Sequence, residues 1–168
     1  FIRCSGLTSV TFETDSIVET IGTYAFDACS GLTEIIIPNS VTSIGERAFI
    51  RCSGLTSVTF EAGSIVKTIG EGAFIRCSGL TLIDIPNSVT SIGRSAFNQC
   101  SGLTSVTFET DSIVNTIGDY AFRYCSSLTL IDIPNSVTSI GYAAFADCSD
   151  LTSVTIGDSV NTIGDYAF

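Results

Sequence analysis

The seven cysteines are the side chains with the most obvious chemical potential in this sequence. Zinc sites usually pair cysteines at short spacings such as C-x-x-C, and no such pair occurs. Disulfides are disfavoured because the number is odd and because stacked repeats would hold neighbouring Cβ atoms about 4.8 Å apart, beyond the usual ~3.5–4.5 Å of a bridge. We therefore predict buried free thiols and no metal site. The cysteines are separated by intervals of 25 and 23 residues in alternation: Cys4, Cys29, Cys52, Cys77, Cys100, Cys125 and Cys148.

Serine, cysteine and lysine nucleophiles lack an evident activating partner. The chain contains no histidine, so a serine or cysteine nucleophile would have no usual base. The single lysine, Lys67, lies in a variable turn position. We therefore predict that the chain is not an enzyme and requires no cofactor.

Pairs of carboxylates follow two predicted strands, at Glu13 with Asp15 and at Glu109 with Asp111. Short polar side chains hydrogen-bond the local backbone in turns, so we interpret these residues as turn-forming and solubilising. A calcium site is the alternative, but it would require six to eight oxygen ligands from neighbouring repeats. The intervening repeats offer only asparagine there: Asn39, Asn87 and Asn135.

The charge excludes several classes of partner. Seventeen acids against seven bases give the 168-residue chain a formal charge of −10, and no basic run occurs. Nucleic acid and anionic membranes both favour clustered lysine and arginine, so neither is an expected partner. An apolar fraction of 45% is enough for a folded core. No apolar stretch approaches the roughly 18 residues of a spanning helix, so we predict no membrane insertion.

The chain is internally repetitive. Residues 5–18 recur unchanged at 101–114, and residues 80–93 recur at 128–141, so coils of 25 and 23 residues alternate in pairs with a period of 48. In one coil, Ile44, Ala48, Phe49 and Cys52 have the spacing of one helix face. The following residues 55–60 fit the LxxLxL pattern of a turn into a strand. We therefore predict one strand and one short helical turn per coil, with parallel strands stacked into a sheet.

The run C-x-x-L-x-x-[VI]-x-[FI], followed by V-x-x-I-G-x-x-A-F-x-x-C, resembles the BspA-like class of leucine-rich repeats. The pattern occurs along the whole chain. The resemblance supports an α/β solenoid with a parallel sheet on one face and short helical turns on the other. We expect residues 1–168 to form a single leucine-rich-repeat solenoid of about seven coils, a window of a longer array. The resemblance also implies an extracellular or cell-surface location and a role in adhesion or in host and matrix contact.

The outward strand face is the usual binding surface of such an array. We predict that it binds a protein or glycan ligand without a tight hot spot, since no aromatic residue lies on it. The tyrosines, such as Tyr24, Tyr120 and Tyr166, lie instead on the opposite, helical side. The alternative is a structural fibre assembled by end-to-end stacking through uncapped ends. The predicted strand-face residues are Thr33, Thr56, Thr59, Thr81, Asp84, Thr104, Thr107, Thr129 and Asp132.

Overall fold

The computed structural model describes residues 1–168 as a solenoid of about six turns built from strands and turns. Six four-residue strands alternate with two-residue strands along the chain. The longer strands are β2 (Glu34–Ile37), β4 (Ser57–Phe60), β6 (Leu82–Ile85), β8 (Ser105–Phe108), β10 (Leu130–Ile133) and β12 (Ser153–Ile156). The shorter strands are β1 (Thr20–Ile21), β3 (Ser43–Ile44), β5 (Thr68–Ile69), β7 (Ser91–Ile92), β9 (Thr116–Ile117), β11 (Ser139–Ile140) and β13 (Thr162–Ile163).

Every strand pairs in parallel with its equivalent in a neighbouring coil, as the sequence predicts. The short strands form one continuous seven-stranded sheet, β1-β3-β5-β7-β9-β11-β13, which the sequence analysis did not predict. The long strands form a four-stranded sheet, β2-β4-β6-β8, and a separate pair, β10-β12. Each coil therefore has a long-strand side, a short-strand side and a third side made of turns.

The predicted short helical turns are wrong, because the third side contains no helix. The structure likewise contains no helix long and apolar enough to cross a membrane. The segment from Gly45 to Cys52 and its equivalents, called the turn ribbon below, is a succession of tight turns. The amides of Ala48 and Cys52 bond the carbonyls three residues back, at 3.3 and 3.1 Å. Between them the amide of Phe49 bonds the carbonyl of Ala73 in the next coil, at 2.7 Å.

Backbone conformation gives the physical reason for the missing helix. Arg47 and Arg51 have positive φ values of 50° and 63°, which no right-handed helix accommodates. Each such residue turns its amide toward the next coil, so the ribbon bonds along the solenoid axis as well as within a coil. The equivalent residues of the other coils do the same, including Tyr24, Ala28, Arg76, Gln99, Tyr120 and Tyr124.

The core is a single cluster that runs the length of the solenoid. One phenylalanine of each coil stacks on its equivalent in the next coil, and together these residues form the phenylalanine column. The ring centroids are 5.2 Å apart from Phe49 to Phe74 and from Phe74 to Phe97. This spacing is the rise of one coil. Each fully buried large side chain contributes about 1.5–3 kcal/mol by the hydrophobic effect, so the columns account for most of the cohesion. The inward placement of Ala48, Phe49 and Cys52 was predicted correctly, since all three are buried.

Candidate functional site: the strand face

The outward side chains of the long strands, with the threonine that precedes each strand, form the strand face. All nine residues predicted for this surface are exposed on it. The threonines that precede the long strands lie one above the next and form the threonine column. Their hydroxyls also form hydrogen bonds between coils. The hydroxyls of Thr56 and Thr104 donate to the carbonyl oxygens of Thr33 and Thr81, each at 2.9 Å. These hydroxyls stabilise the stacking of one coil on the next.

Thr129 is the exception in this column. Its amide and its hydroxyl make no hydrogen bond to Thr104, although the equivalent amide bonds elsewhere measure 2.9 or 3.3 Å. Strands β8 and β10 are likewise unpaired, whereas the sheets on either side of them are intact. The long-strand side of the solenoid is therefore open between the coils of β8 and β10. Residues 9–12, the equivalent of a long strand in the first coil, are also unpaired with β2, although the amide of Thr33 still bonds the carbonyl of Thr8 at 3.3 Å.

A serine hydroxyl that lacks a hydrogen-bond partner marks the same opening. Ser40 and Ser88 each donate a hydrogen bond of 2.8 Å to a valine carbonyl in the preceding coil. The Oγ atom of Ser136, the equivalent residue in the coil of β10, is buried without a hydrogen-bond partner. The coil of β10 has moved away from the coil of β8 on this side.

Coil length determines how tightly neighbouring coils pair on this side. Where a 23-residue coil follows a 25-residue coil, the threonine amide bonds are 3.3 Å, as from Thr81 to Thr56. In the other order they are 2.9 Å, as from Thr104 to Thr81. Pairing follows the same rule, because β4 pairs with β6 at only two residues, whereas β6 pairs with β8 at four. The long-to-short junction is the weaker one.

At the opening, serine replaces a glycine that most other coils have just before the long strand. A Cβ atom added at Gly79 or Gly102 would lie 2.6 or 2.4 Å from a serine carbonyl of the preceding coil, closer than atoms pack. In the coil of β10 the equivalent residue in this column is Ser127, whose Cβ atom would meet the equivalent carbonyl if the coils stayed as close, which favours their separation. Asp150 occupies the column in the following coil, yet β10 and β12 pair fully. A side chain in this column thus separates the strands only at a long-to-short junction.

The opening forms a cleft of about 670 Å³ on the strand face, called the β8–β10 cleft below. Thr107 and Asp132, both predicted as binding residues, lie in its lining, together with Glu109 and Asp111 from the turn after β8. Leu130 supplies an apolar wall and is 52% exposed. The cleft was not predicted from the sequence, although the replacement of glycine by Ser127 is a visible signal.

The other predicted residues are not gathered at the cleft. Asp84 accepts a short hydrogen bond from the hydroxyl of Thr107 on the neighbouring strand. The hydroxyls of Ser57 and Thr59 lie 3.5 Å apart. These residues form an exposed polar surface along the sheet, and only Thr107 and Asp132 border the opening.

Charge is distributed unevenly between the strand face and the turn ribbon. The ribbon holds all six arginines and six acids, so its formal charge is zero. The remaining charged residues lie on the strands and in the turns before or after them, and they account for the whole charge of −10. They are Lys67 and eleven acids, Glu13, Asp15, Glu19, Glu34, Glu61, Asp84, Glu109, Asp111, Asp132, Asp150 and Asp158.

The cysteine column lies mostly in the buried core and not on this surface. All seven thiols are free, five of them are buried, and Cys4 is exposed. Burial raises the pKa of Cys52 to about 12 and that of Cys77 well above the usual range, because a thiolate would be poorly solvated. No group of three or more acidic or cysteine side chains is placed to hold a metal ion.

A stacked array of short parallel strands on a leucine, phenylalanine and cysteine spine defines a leucine-rich-repeat solenoid. The family model for the BspA type leucine-rich repeat region matches residues 1–114 and 60–168, with six copies of the repeat. The chain belongs to this family. No curated protein matches it by sequence.

Several bacterial structures are similar to the chain. A leucine-rich-repeat protein of T. pallidum is 30% identical with a TM-score of 0.80, over 88% of this chain and 67% of that one. The pneumococcal vaccine antigen PcpA is 28% identical with a TM-score of 0.77, over 84% and 36%. A leucine-rich cell surface protein of Faecalibacterium prausnitzii is 32% identical with a TM-score of 0.59, over 90% and 46%. The chain spans less than half the length of the last two proteins.

Proposed function

We propose that this chain is a non-enzymatic binding module, displayed at the cell surface or secreted, whose strand face makes adhesive protein contacts. The β8–β10 cleft is the observation that supports this function most directly. It is an opening of about 670 Å³ on the strand face, and two of the predicted binding residues border it. A recess of this size can accept side chains of a partner, which a flat polar sheet does not.

The chemistry of the cleft favours a partner with basic side chains. Leu130 and Asp132 lie two residues apart on one strand, and both are exposed on the same face. A lysine or arginine from the partner would pack its aliphatic stem on Leu130 and place its charge beside Asp132 and Asp111. The excess of acids on this side of the solenoid would also attract such a partner from a distance.

A glycan is the less favoured occupant of this cleft. Phe108 is the one aromatic residue in the lining, and it is partly buried against the core, so little of its ring is open for a sugar to stack on. The carboxylates of the cleft would repel an acidic saccharide. The surface or secreted location rests on family membership and on the name of the similar F. prausnitzii cell surface protein. Adhesion rests on the same family membership, together with the exposed polar strand face.

Hydrogen exchange with a defined probe tests this proposal. The probe is a synthetic peptide of four lysine–threonine repeats, and a glutamate–threonine peptide of the same length is the control. We expect the basic peptide to slow exchange in β8, in β10 and in the turns after them, and the acidic peptide to have no effect. Protection confined to the turn ribbon, or equal protection by the two peptides, would contradict the proposed surface.

A structural fibre is the second candidate function, and one observation favours it. The last coil leaves apolar side chains uncovered, with Ile163 and Phe168 each 50% exposed while Phe168 stacks on Phe145 at 5.2 Å. A further coil, from this chain or from another copy, would cover them in the same register. Sedimentation of the 168-residue segment across a concentration series tests self-association. A monomer at all concentrations would argue against stacking between copies.

A further inference from the structure

A second recess lies on the opposite flank of the solenoid, where the turn ribbon meets the strand face. Its volume is about 770 Å³, larger than that of the β8–β10 cleft. It runs across four successive coils, which are spaced 5.2 Å apart along the phenylalanine column. We call it the arginine–serine groove, and its lining is Arg51, Ser53, Arg76, Ser78, Gln99, Ser101, Tyr124 and Ser126.

The groove differs in charge from the rest of the surface. No carboxylate lines it, although the chain has seventeen acids. The guanidinium of Arg51 is already in an ion pair, because it binds the carboxylate of Asp27 at 2.9 Å. Arg76 has no acidic partner, and its Nε atom donates to Oε1 of Gln99 at 3.0 Å. The Nη groups of Arg76 are therefore available as charged donors, in a groove otherwise lined by hydroxyl and amide groups.

Tyr124 is the single aromatic ring in the lining. The guanidinium carbon of Arg123 lies 4.6 Å from the ring centroid, and Nη2 of Arg123 donates to the tyrosine hydroxyl at 3.0 Å. These two contacts hold the ring in place at one end of the groove. Tyr124 is 41% exposed, so part of the ring remains open to a ligand.

Backbone geometry does not explain these side chains. Arg76, Gln99 and Tyr124 occupy one column of the ribbon, with φ values of 60°, 63° and 61°. Glycine and asparagine adopt this conformation at the lowest energy, and large side chains have no advantage in it. A ligand that uses the side chains gives a reason for their presence.

The geometry points to an acidic oligosaccharide as the ligand of the arginine–serine groove. Successive serine hydroxyls and the Gln99 amide would bond the sugar hydroxyls, Arg76 would bind a carboxylate, and Tyr124 would stack against one sugar ring. An elongated ligand fits because the groove extends over three coil steps. An acidic peptide fits less well, because the lining offers no apolar pocket for an anchor side chain.

Calorimetry with tetragalacturonate, which carries one carboxylate on each sugar, tests this inference. The fully methyl-esterified tetrasaccharide is the uncharged control ligand, and tetraglutamate is the acidic-peptide control. We expect tetragalacturonate to bind and both controls to bind at least about tenfold more weakly. The ester lacks the charged acceptor for Arg76, and the peptide lacks the sugar hydroxyls and the sugar ring that the serines and Tyr124 would contact. Equal binding of tetraglutamate, or no binding of tetragalacturonate, would overturn the assignment.

Variants locate the site. Arg76→Gln should weaken tetragalacturonate binding about tenfold, and Tyr124→Ala should weaken it about fivefold through the lost ring contact. Arg94→Gln removes the same charge from a ribbon arginine outside the groove, and it should change affinity less than twofold. Equal losses for Arg76→Gln and Arg94→Gln would show nonspecific attraction and would contradict the groove. Gln99→Ala, expected to lose about threefold, gives an independent check if a variant does not fold.

Discussion

The Sγ atom of Cys77 donates a hydrogen bond to the carbonyl oxygen of Phe49, which lies 3.1 Å away in the preceding coil. The same carbonyl accepts the amide of Cys52, so each phenylalanine carbonyl is bonded within its own coil and from the next. The bond recurs between Cys100 and Phe74 at 3.1 Å. The cysteine column is thus a ladder of thiol donors as well as a space-filling column.

Thiol labelling should follow burial along this column. In native protein we expect Cys4 to react early with an alkylating reagent, because it is exposed. Cys52, Cys77 and Cys100 should resist until the array unfolds, since burial excludes the reagent and raises their pKa values. Mass spectrometry after timed alkylation measures the order. Early labelling of Cys77, or a recovered bridge between Cys52 and Cys77, would contradict the close-packed column.

The same thiols should make the protein sensitive to alkali. The pKa of Cys52 rises from 9.0 to about 12 on folding, and that of Cys148 rises to about 11. Because the unfolded state loses these protons first, their contribution to stability is complete below about pH 9 and is lost as pH rises toward 11 and 12. Chemical denaturation from pH 8 to pH 11 measures the decline. Cys52→Ser, which keeps a donor toward Phe26, should show a shallower decline, and an identical slope would count against this cause.

Glycines in the column before each strand should be sensitive to a single added methyl group. Gly79→Ala places a Cβ atom 2.6 Å from the carbonyl of Ser53, so the coils must separate. We expect a loss of about 1–3 kcal/mol in the free energy of unfolding, as for other overpacked sites. Gly6→Ala is the matched control, because nothing lies within 4 Å of a Cβ atom there. Equal effects of the two substitutions in denaturation experiments would show that close approach is not the reason for glycine.

The reverse substitution should close the β8–β10 cleft. Ser127→Gly removes the Cβ atom that separates the two coils, and the amide of Thr129 can then bond the carbonyl of Thr104. We expect hydrogen exchange of the Thr129 amide to slow, and we expect affinity for the basic peptide to fall. Ser78→Gly, which removes a serine side chain at a junction where the strands are paired, should leave both quantities unchanged. Unaltered exchange at Thr129 in Ser127→Gly would refute the proposed cause of the opening.

Much of the fold could be predicted because apolar spacing reports which side chains point inward. The offsets of Phe49 and Cys52 correctly placed both in the core, although the local structure is a turn ribbon. The helix was predicted wrongly because Arg47 and Arg51 carry no sequence signal for positive φ, which the hydrogen bonds to the next coil impose. The two faces of a strand and the parallel pairing of coils can be predicted from the periodicity of the sequence. The sign of φ at a nonglycine residue cannot, because it depends on tertiary contacts.

The candidate site was less predictable than the fold. Exposure of Thr107 and Asp132 followed from alternation along a strand, and the structure confirms it. At the cleft a long-to-short junction coincides with a side chain at Ser127. The side chain does not open the sheet by itself, as the paired strands around Asp150 show, and β4 and β6 still pair at two residues across the long-to-short junction that keeps Gly79.

The affinity of paired aspartate variants for the basic peptide tests the strand-face function most directly. Asp132→Asn and Asp165→Asn remove the same charge, one from the β8–β10 cleft and one from the turn ribbon. Exposed ion pairs contribute about 0.2–1 kcal/mol, so we expect Asp132→Asn to raise Kd about two- to fivefold. Asp165→Asn should change Kd by less than about 1.5-fold, because its charge is distant from the cleft and is screened by salt. Equal changes in Kd for the two variants, or a larger one for Asp165→Asn, would contradict binding at the strand face.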